Sequence, residues 1–260
     1  MKRHRIVAII YRHLYNYRHS LDKMVDTFYW PTVDILLWGL TSLWIRQNAD
    51  IPGLVVLLLT GLVFWQFVWR GQYEFTINLL EEMWNQNLVS LFASPLTVAE
   101  WIVGAVGLGI IKMIISISFS VGLVWLLYAV KLWEGGLTLI PAVIILMMSG
   151  WWIGLLVSGF LLRFGMRIQT LAWSGIYLLS PFSAIYYPVV ALPAWARGVA
   201  WWVPMSHCFE YMRAVLNGVV VPEKVLLLPL VQTVVYVFLA GWWFNTSFNK
   251  SKEKGLSRLE

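Results

Sequence analysis

The sequence predicts an all-α, polytopic membrane protein, and three observations carry that expectation. Of its 260 residues, 60% are hydrophobic and 12% charged, more apolar side chain than a soluble fold of this size needs. Six apolar runs recur along the chain, each long enough for the roughly 20 residues a helix needs to cross ~30 Å of hydrocarbon. Trp (17) and Tyr (11) are abundant, and many sit at the ends of those runs, where amphipathic rings settle at headgroup level.

Residues 1–27 come first. Lys2, Arg3, Arg5, Arg12, Arg18 and Lys23 are interleaved with Ile6, Ile10, Leu14, Tyr17, Leu21 and Val25 at helical spacing. That pattern predicts a basic amphipathic helix lying flat on the inner leaflet. Nothing in it resembles a cleaved signal peptide, so it is expected to be retained. The apolar runs follow at 28–46, 54–73, 99–130, 137–162, 168–190 and 225–247. The third is too long for one straight crossing, so its first turns are expected in the cytoplasm. Arg163 and Arg167 bracket the loop after the fourth run, and Lys250, Lys252, Lys254 and Arg258 fill the 248–260 tail. The 46–53 loop sets Arg46 against Asp50, and the 131–136 loop sets Lys131 against Glu134. The positive-inside rule then gives six spans, 28–247, with both termini cytoplasmic. Acidic residues count little in that rule, so the loop holding Glu74, Glu81 and Glu82 also falls inside.

Between the second and third runs the sequence predicts a short polar helix over residues 78–95. Leu80, Met83, Trp84, Leu88, Leu91 and Phe92 form one apolar stripe at three- and four-residue steps, and Glu81, Glu82, Asn85, Gln86 and Ser90 form the other face. Pro95 ends the pattern. Such a helix is too polar to cross a bilayer; it lies at the surface, with or without a partner.

The segment 188–218 is apolar and aromatic yet broken by Pro188, Pro193 and Pro204. Broken helix at membrane depth needs protein or a watery cavity to satisfy its backbone. The sequence therefore predicts two short re-entrant helices, one opened by Pro193 (194–202) and one by Pro204 (205–216), with Gly218 ending the second. Glu210 and Arg213 are three apart and can pair.

Several chemistries are excluded. The single cysteine, Cys208, allows no internal disulfide or thiolate metal cluster, and the four histidines form no ligand pair, so no metal site is expected. No phosphate-binding Gly-Lys-[Ser/Thr] loop occurs, so the chain has no nucleotide cradle of its own. The +6 charge collects in the two tails, where it sets topology and does not mark nucleic acid.

The run Ser183–Pro188, the Leu192-Pro193-x-Trp195 turn, Pro204 after an aromatic stretch and Glu210-x-x-Arg213 resemble the signature of type-2 ABC exporter permeases. Leu91-Phe-Ala-Ser94-Pro95-Leu-Thr97 is similar to the end of that family's cytoplasmic coupling helix. Val203 departs from the pattern, since the family usually has Asn before that proline. The resemblance covers nearly the whole chain. It implies a homodimer in a bacterial or archaeal inner membrane, seated on separate ATPase subunits that carry the ATP and Mg. It implies that Glu81, Glu82, Trp84, Leu88, Leu91, Ser94 and Pro95 couple to the ATPase, while Pro188, Pro193, Trp195, Pro204, Glu210 and Arg213 form an outer gate. The cargo would be amphipathic or lipid-linked: a polysaccharide, lipid or drug. No covalent chemistry is expected in the chain.

Two polar residues within apolar runs have open readings. Asp34 is either a functional intramembrane carboxylate or a wetted group near the inner end of its span. Lys112 is expected to snorkel inward along its stem. Gly104, Gly107 and Gly109 suit close helix packing, and Trp195, Trp201 and Trp202 suit an outer interfacial belt. Two rival functions remain. A transferase acting on lipid-linked substrates would need converging catalytic groups, and Asp34, Glu74, Glu100 and Glu210 do not converge in sequence. A non-catalytic channel component would leave the polar helix without an ATPase to meet.

Overall fold

A computed structural model describes residues 1–48 and 54–255, apart from the side chains of Asn48, Leu54 and residues 133–135. Asp50 and Arg258, used above to place the first loop and the tail, lie outside the described residues. Among those described, every regular element is helical.

α1 (Arg3–His19) ends one residue before Ser20, whose backbone is extended (φ −113°, ψ 106°). The Ser20 hydroxyl accepts from the Lys23 amide at 3.5 Å and opens α2 (Leu21–Asn48). The amphipathic pattern thus belongs to two helices, not one. Pro31 sits inside α2 and gives no N–H to the Thr27 carbonyl four residues back. That carbonyl accepts instead from Ser116 Oγ at 3.3 Å, so the proline is tolerated.

α3 (Leu54–Trp84) runs eleven residues beyond the expected end at 73, since the Glu74–Trp84 stretch continues the same helix. It breaks at Asn85–Asn87, where Gln86 adopts a left-handed backbone (φ 52°). α4 (Leu88–Ala93) is a short remnant, so the helix read over 78–95 is the tail of α3, a kink and one further turn and a half. α5 (Val98–Tyr128) starts from a capping box: the Thr97 hydroxyl accepts from the Glu100 amide (3.3 Å), and Glu100 accepts from the Thr97 amide (3.0 Å).

α6 (Ile140–Phe164) occupies the centre and packs most extensively on α10 and α3. The α3–α6 contact depends on facing glycines. A Cβ built on Gly150 would lie 2.9 Å from the Gly71 Cα and closer still to the Val68 carbonyl, so the backbones touch.

After Gly165 (φ 72°) the chain alternates α and 3₁₀ turns, including α7 (Leu171–Ser174), as far as Phe182. This differs from the expected single span over 168–190. At about 1.5–2.0 Å per residue, Met166 to Ser183 still reaches roughly 27–36 Å. α8 (Ala194–Trp201) and α9 (Pro204–Leu216) follow, and α10 (Leu227–Glu253) closes the bundle.

Among the described residues, four segments can cross a membrane by length and composition: Val55–Trp84, Val98–Tyr128, Gly136–Ile168 and Glu223–Glu253. Contacts sort the chain into two ends. The ends of α3, α6 and α10 gather with α1, α4 and the start of α5: Trp84 reaches Gln169, and Phe92 meets Phe248 at 4.6 Å. At the other end α9 bonds the 3₁₀ turn that leads into α6, through Tyr211 and the Thr138 carbonyl (3.2 Å). There Gln232 and Tyr236 of α10 donate to the carbonyls of Trp201 and Trp202.

Candidate functional site

The first candidate region is the corner where α3 gives way to α4. Glu82 is 2% exposed; Arg12 of α1 reaches it at 2.9 Å and Asn87 at 2.7 Å. Glu81 pairs with Lys23 of α2 at 2.6 Å. Glu100 accepts from the Lys2 amide (2.7 Å) and lies 3.4 Å from Arg5, whose guanidinium also donates to the Pro95 carbonyl. The basic helix α1 is therefore strapped onto the corner by ion pairs. Gly104 and Gly107 of α5 seat it, since Cβ atoms there would meet Ile9 at 3.0 Å and Ile10 at 2.9 Å.

His13, on the buried side of α1, is held neutral. Burial, then the charges of Arg12, Lys112 and Lys23, lower its pKa from 6.5 to about 3. Its Nε2 lies 3.9 Å from Glu82, beyond hydrogen-bond length, and Arg12 already occupies that carboxylate.

This changes which residues the corner presents. Leu88 is fully buried, Leu91 half-buried, and Glu81 and Glu82 are engaged by the strap. What faces outward is Trp84 (45% exposed), Asn85, Gln86, Val89, Ser90, Ser94 and Pro95. Trp84 is held from behind, its indole N–H donating to Gln169 at 3.3 Å and its ring stacking on Trp173.

Beneath the corner lies an ion cluster that was not anticipated. Lys112 does not snorkel; its Nζ bonds Glu74 at 2.7 Å and sits 5.1 Å over the Tyr17 ring. Arg70, 1% exposed, lies 3.6 Å from Asp26 and 3.9 Å from Glu74. Two cations and two carboxylates thus balance across α2, α3 and α5. Only the i,i+4 spacing of Arg70 and Glu74 was visible in the sequence. The partners 38 residues away were not.

Next to this cluster, between α2, α3 and the run containing α7, is a cavity of about 340 Å³. Its walls carry seven rings, from Trp30, Trp65, Trp69, Tyr73, Trp173, Tyr177 and Tyr186, together with Asp26, Asp34 and Gln66. Asp34 has no hydrogen-bond or ion-pair partner among the described residues. Asp34 and Lys112, the two polar residues singled out within apolar runs, are not in contact: one lines the chamber and the other the cluster.

The opposite end matches the proline reading closely. Pro193 caps α8, Pro204 opens α9, and Gly218 takes a left-handed backbone (φ 76°) just after α9. Arg213 donates to Glu210 (2.7 Å) and to the Ala184 carbonyl (2.6 Å), while Glu210 accepts from the Val189 amide (2.8 Å). The pair therefore staples the Ala184–Val189 segment, with Pro188 inside it, to α9. Trp195 (69%), Trp201 (48%) and Trp202 (62%) are exposed, and Cys208 is fully buried.

No family model matches the chain, and no curated protein does.

Proposed function

We propose that this chain is the membrane subunit of an ATP-driven exporter of the type-2 ABC class, with six spans and both termini in the cytoplasm. The beyond-four spans would be α2 and the Met166–Ser183 run, which together with the four apolar helices pass between the two ends of the bundle. The observation that carries the reading is the placement of its two landmarks. A neutral, aromatic-anchored corner (Trp84, Asn85, Gln86, Val89, Ser94, Pro95) lies at one end, and the proline-opened pair α8–α9 lies at the other.

On this reading the corner seats a separate ATPase, which supplies ATP and Mg, and its motion passes through the end of α3. Glu81 and Glu82 act indirectly, by fixing the corner to α1. The α8–α9 pair is the outer gate, two copies of the chain frame the path, and the cargo is amphipathic or lipid-linked. The rigid α3–α6 glycine contact gives the corner a stiff lever into the core.

The test is co-purification with the candidate ATPase subunit and ATP hydrolysis in vesicles. Trp84→Ala and Val89→Arg should abolish both hydrolysis coupling and ATPase retention while the chain still inserts. Robust ATP hydrolysis by the purified chain alone, or wild-type coupling in both variants, would overturn the proposal.

A further inference from the structure

We infer that the chamber between α2, α3 and the α7 run is a binding site for a monovalent, lipophilic organic cation. Among the described residues its lining holds two carboxylates and no Lys, Arg or His. Asp26 belongs to the balanced cluster with Arg70, Glu74 and Lys112. Asp34 has no partner among the described residues, so its carboxylate, when ionised, gives the chamber one uncompensated negative charge. An unpaired carboxylate in an apolar bundle is costly, and a bound cation removes that cost.

The walls suit the same occupant. Seven rings surround the space, and aromatic faces attract cations through their quadrupoles. The protein already uses two of these rings that way: the Arg70 guanidinium lies 4.8 Å from the Trp69 centroid and 5.7 Å from that of Tyr73. Gln66 adds an acceptor, since the residue is 6% exposed and its Oε1 has no donor. An N–H of a protonated amine would fill it. At about 340 Å³ the cavity falls within the ~300–1,000 Å³ range of small-molecule sites. An anion would be repelled, and a neutral sugar would leave the Asp34 charge unanswered.

As a binding site this stands on the chamber alone; that the cation is cargo rests on the export reading. The experiment therefore uses the purified chain without any ATPase. Equilibrium dialysis in detergent, against protein-free micelles, compares radiolabelled tetraphenylphosphonium with tetraphenylborate, which has the same shape and the opposite charge. The phosphonium should bind at least about tenfold more tightly, and Asp34→Asn should weaken it by roughly tenfold while Asp34→Glu keeps most of it. Trp30→Ala, at a ring 50% exposed, should weaken it similarly and decides the matter if Asp34→Asn does not elute as a single folded species and this variant does. Equal binding of the two ions, undiminished binding in the soluble variants, or binding of maltoheptaose that the phosphonium fails to displace would overturn the assignment. None of those results bears on ATPase co-purification, and loss of co-purification would leave the chamber's affinity intact.

Discussion

The two ends of the bundle are ordered by different means. At the corner, segments far apart in sequence are tied through carboxylates: Arg5 and the Lys2 backbone amide to Glu100, Arg12 to Glu82, Lys23 to Glu81. At the α8–α9 end, prolines and a glycine set each helix boundary, and one pair of charges, Glu210 and Arg213, gathers nearby carbonyls and an amide. Both ends look interrupted in the sequence, one polar and the other apolar and aromatic. In one the charges are spent on internal fastening and leave a neutral face outward; in the other they close a local loop. A charged residue in a membrane-protein loop is thus weak evidence for a partner until its internal pairings are known.

The largest effect should come from the cluster under the corner. Glu74→Ala strands Lys112 and Arg70 without their shared carboxylate and should cost about 3–5 kcal/mol, read as a lower thermal midpoint in detergent. Replacing the pair together, Glu74→Leu with Lys112→Met, should recover most of that loss. At the other end Arg213→Ala should cost about 2–3 kcal/mol and open the Ala184–Val189 segment to protease, with the strap unaffected. If α1 loosened as well, the two ends would not be independent.

The strap should also respond to pH. His13 has a folded pKa near 3, below its unfolded value of 6.5, so the docked state is favoured fully above about 6.5. Its contribution is lost progressively as pH falls from 6.5 towards 3, because the released helix takes up a proton. Protease cleavage within α1 should rise over that window, and His13→Gln should flatten the response. The smallest effect should be Lys23→Ala. Its pair with Glu81 is partly exposed, and removal should cost under ~1 kcal/mol in the same unfolding assay.

How much of this was legible follows from the range of the forces. The α8–α9 boundaries were readable from Pro193, Pro204 and Gly218, because those residues act on their own backbone. The end of α3 was misjudged where tertiary pairing overrides local polarity. Glu74 and Glu82 read as loop residues because their closest cationic partners, Lys112 and Arg12, come from other helices. The break at Ser20 had a local signal, a hydroxyl residue able to cap α2, obscured by an apolar stripe continuing across it. The chamber was not legible at all, since its walls come from three segments and only Asp34 stood out.

The central claim is that the two ends lie on opposite sides of a membrane. Single cysteines at Asn85 of the corner and at Val220, 96% exposed just past α9, test it in a Cys208→Ser background. A membrane-impermeant thiol reagent added to intact cells should label the Val220 position at once and the Asn85 position only after the membrane is opened. Labelling of Asn85 from outside, or of both positions from the same side, would contradict the six-span topology and the export reading built on it.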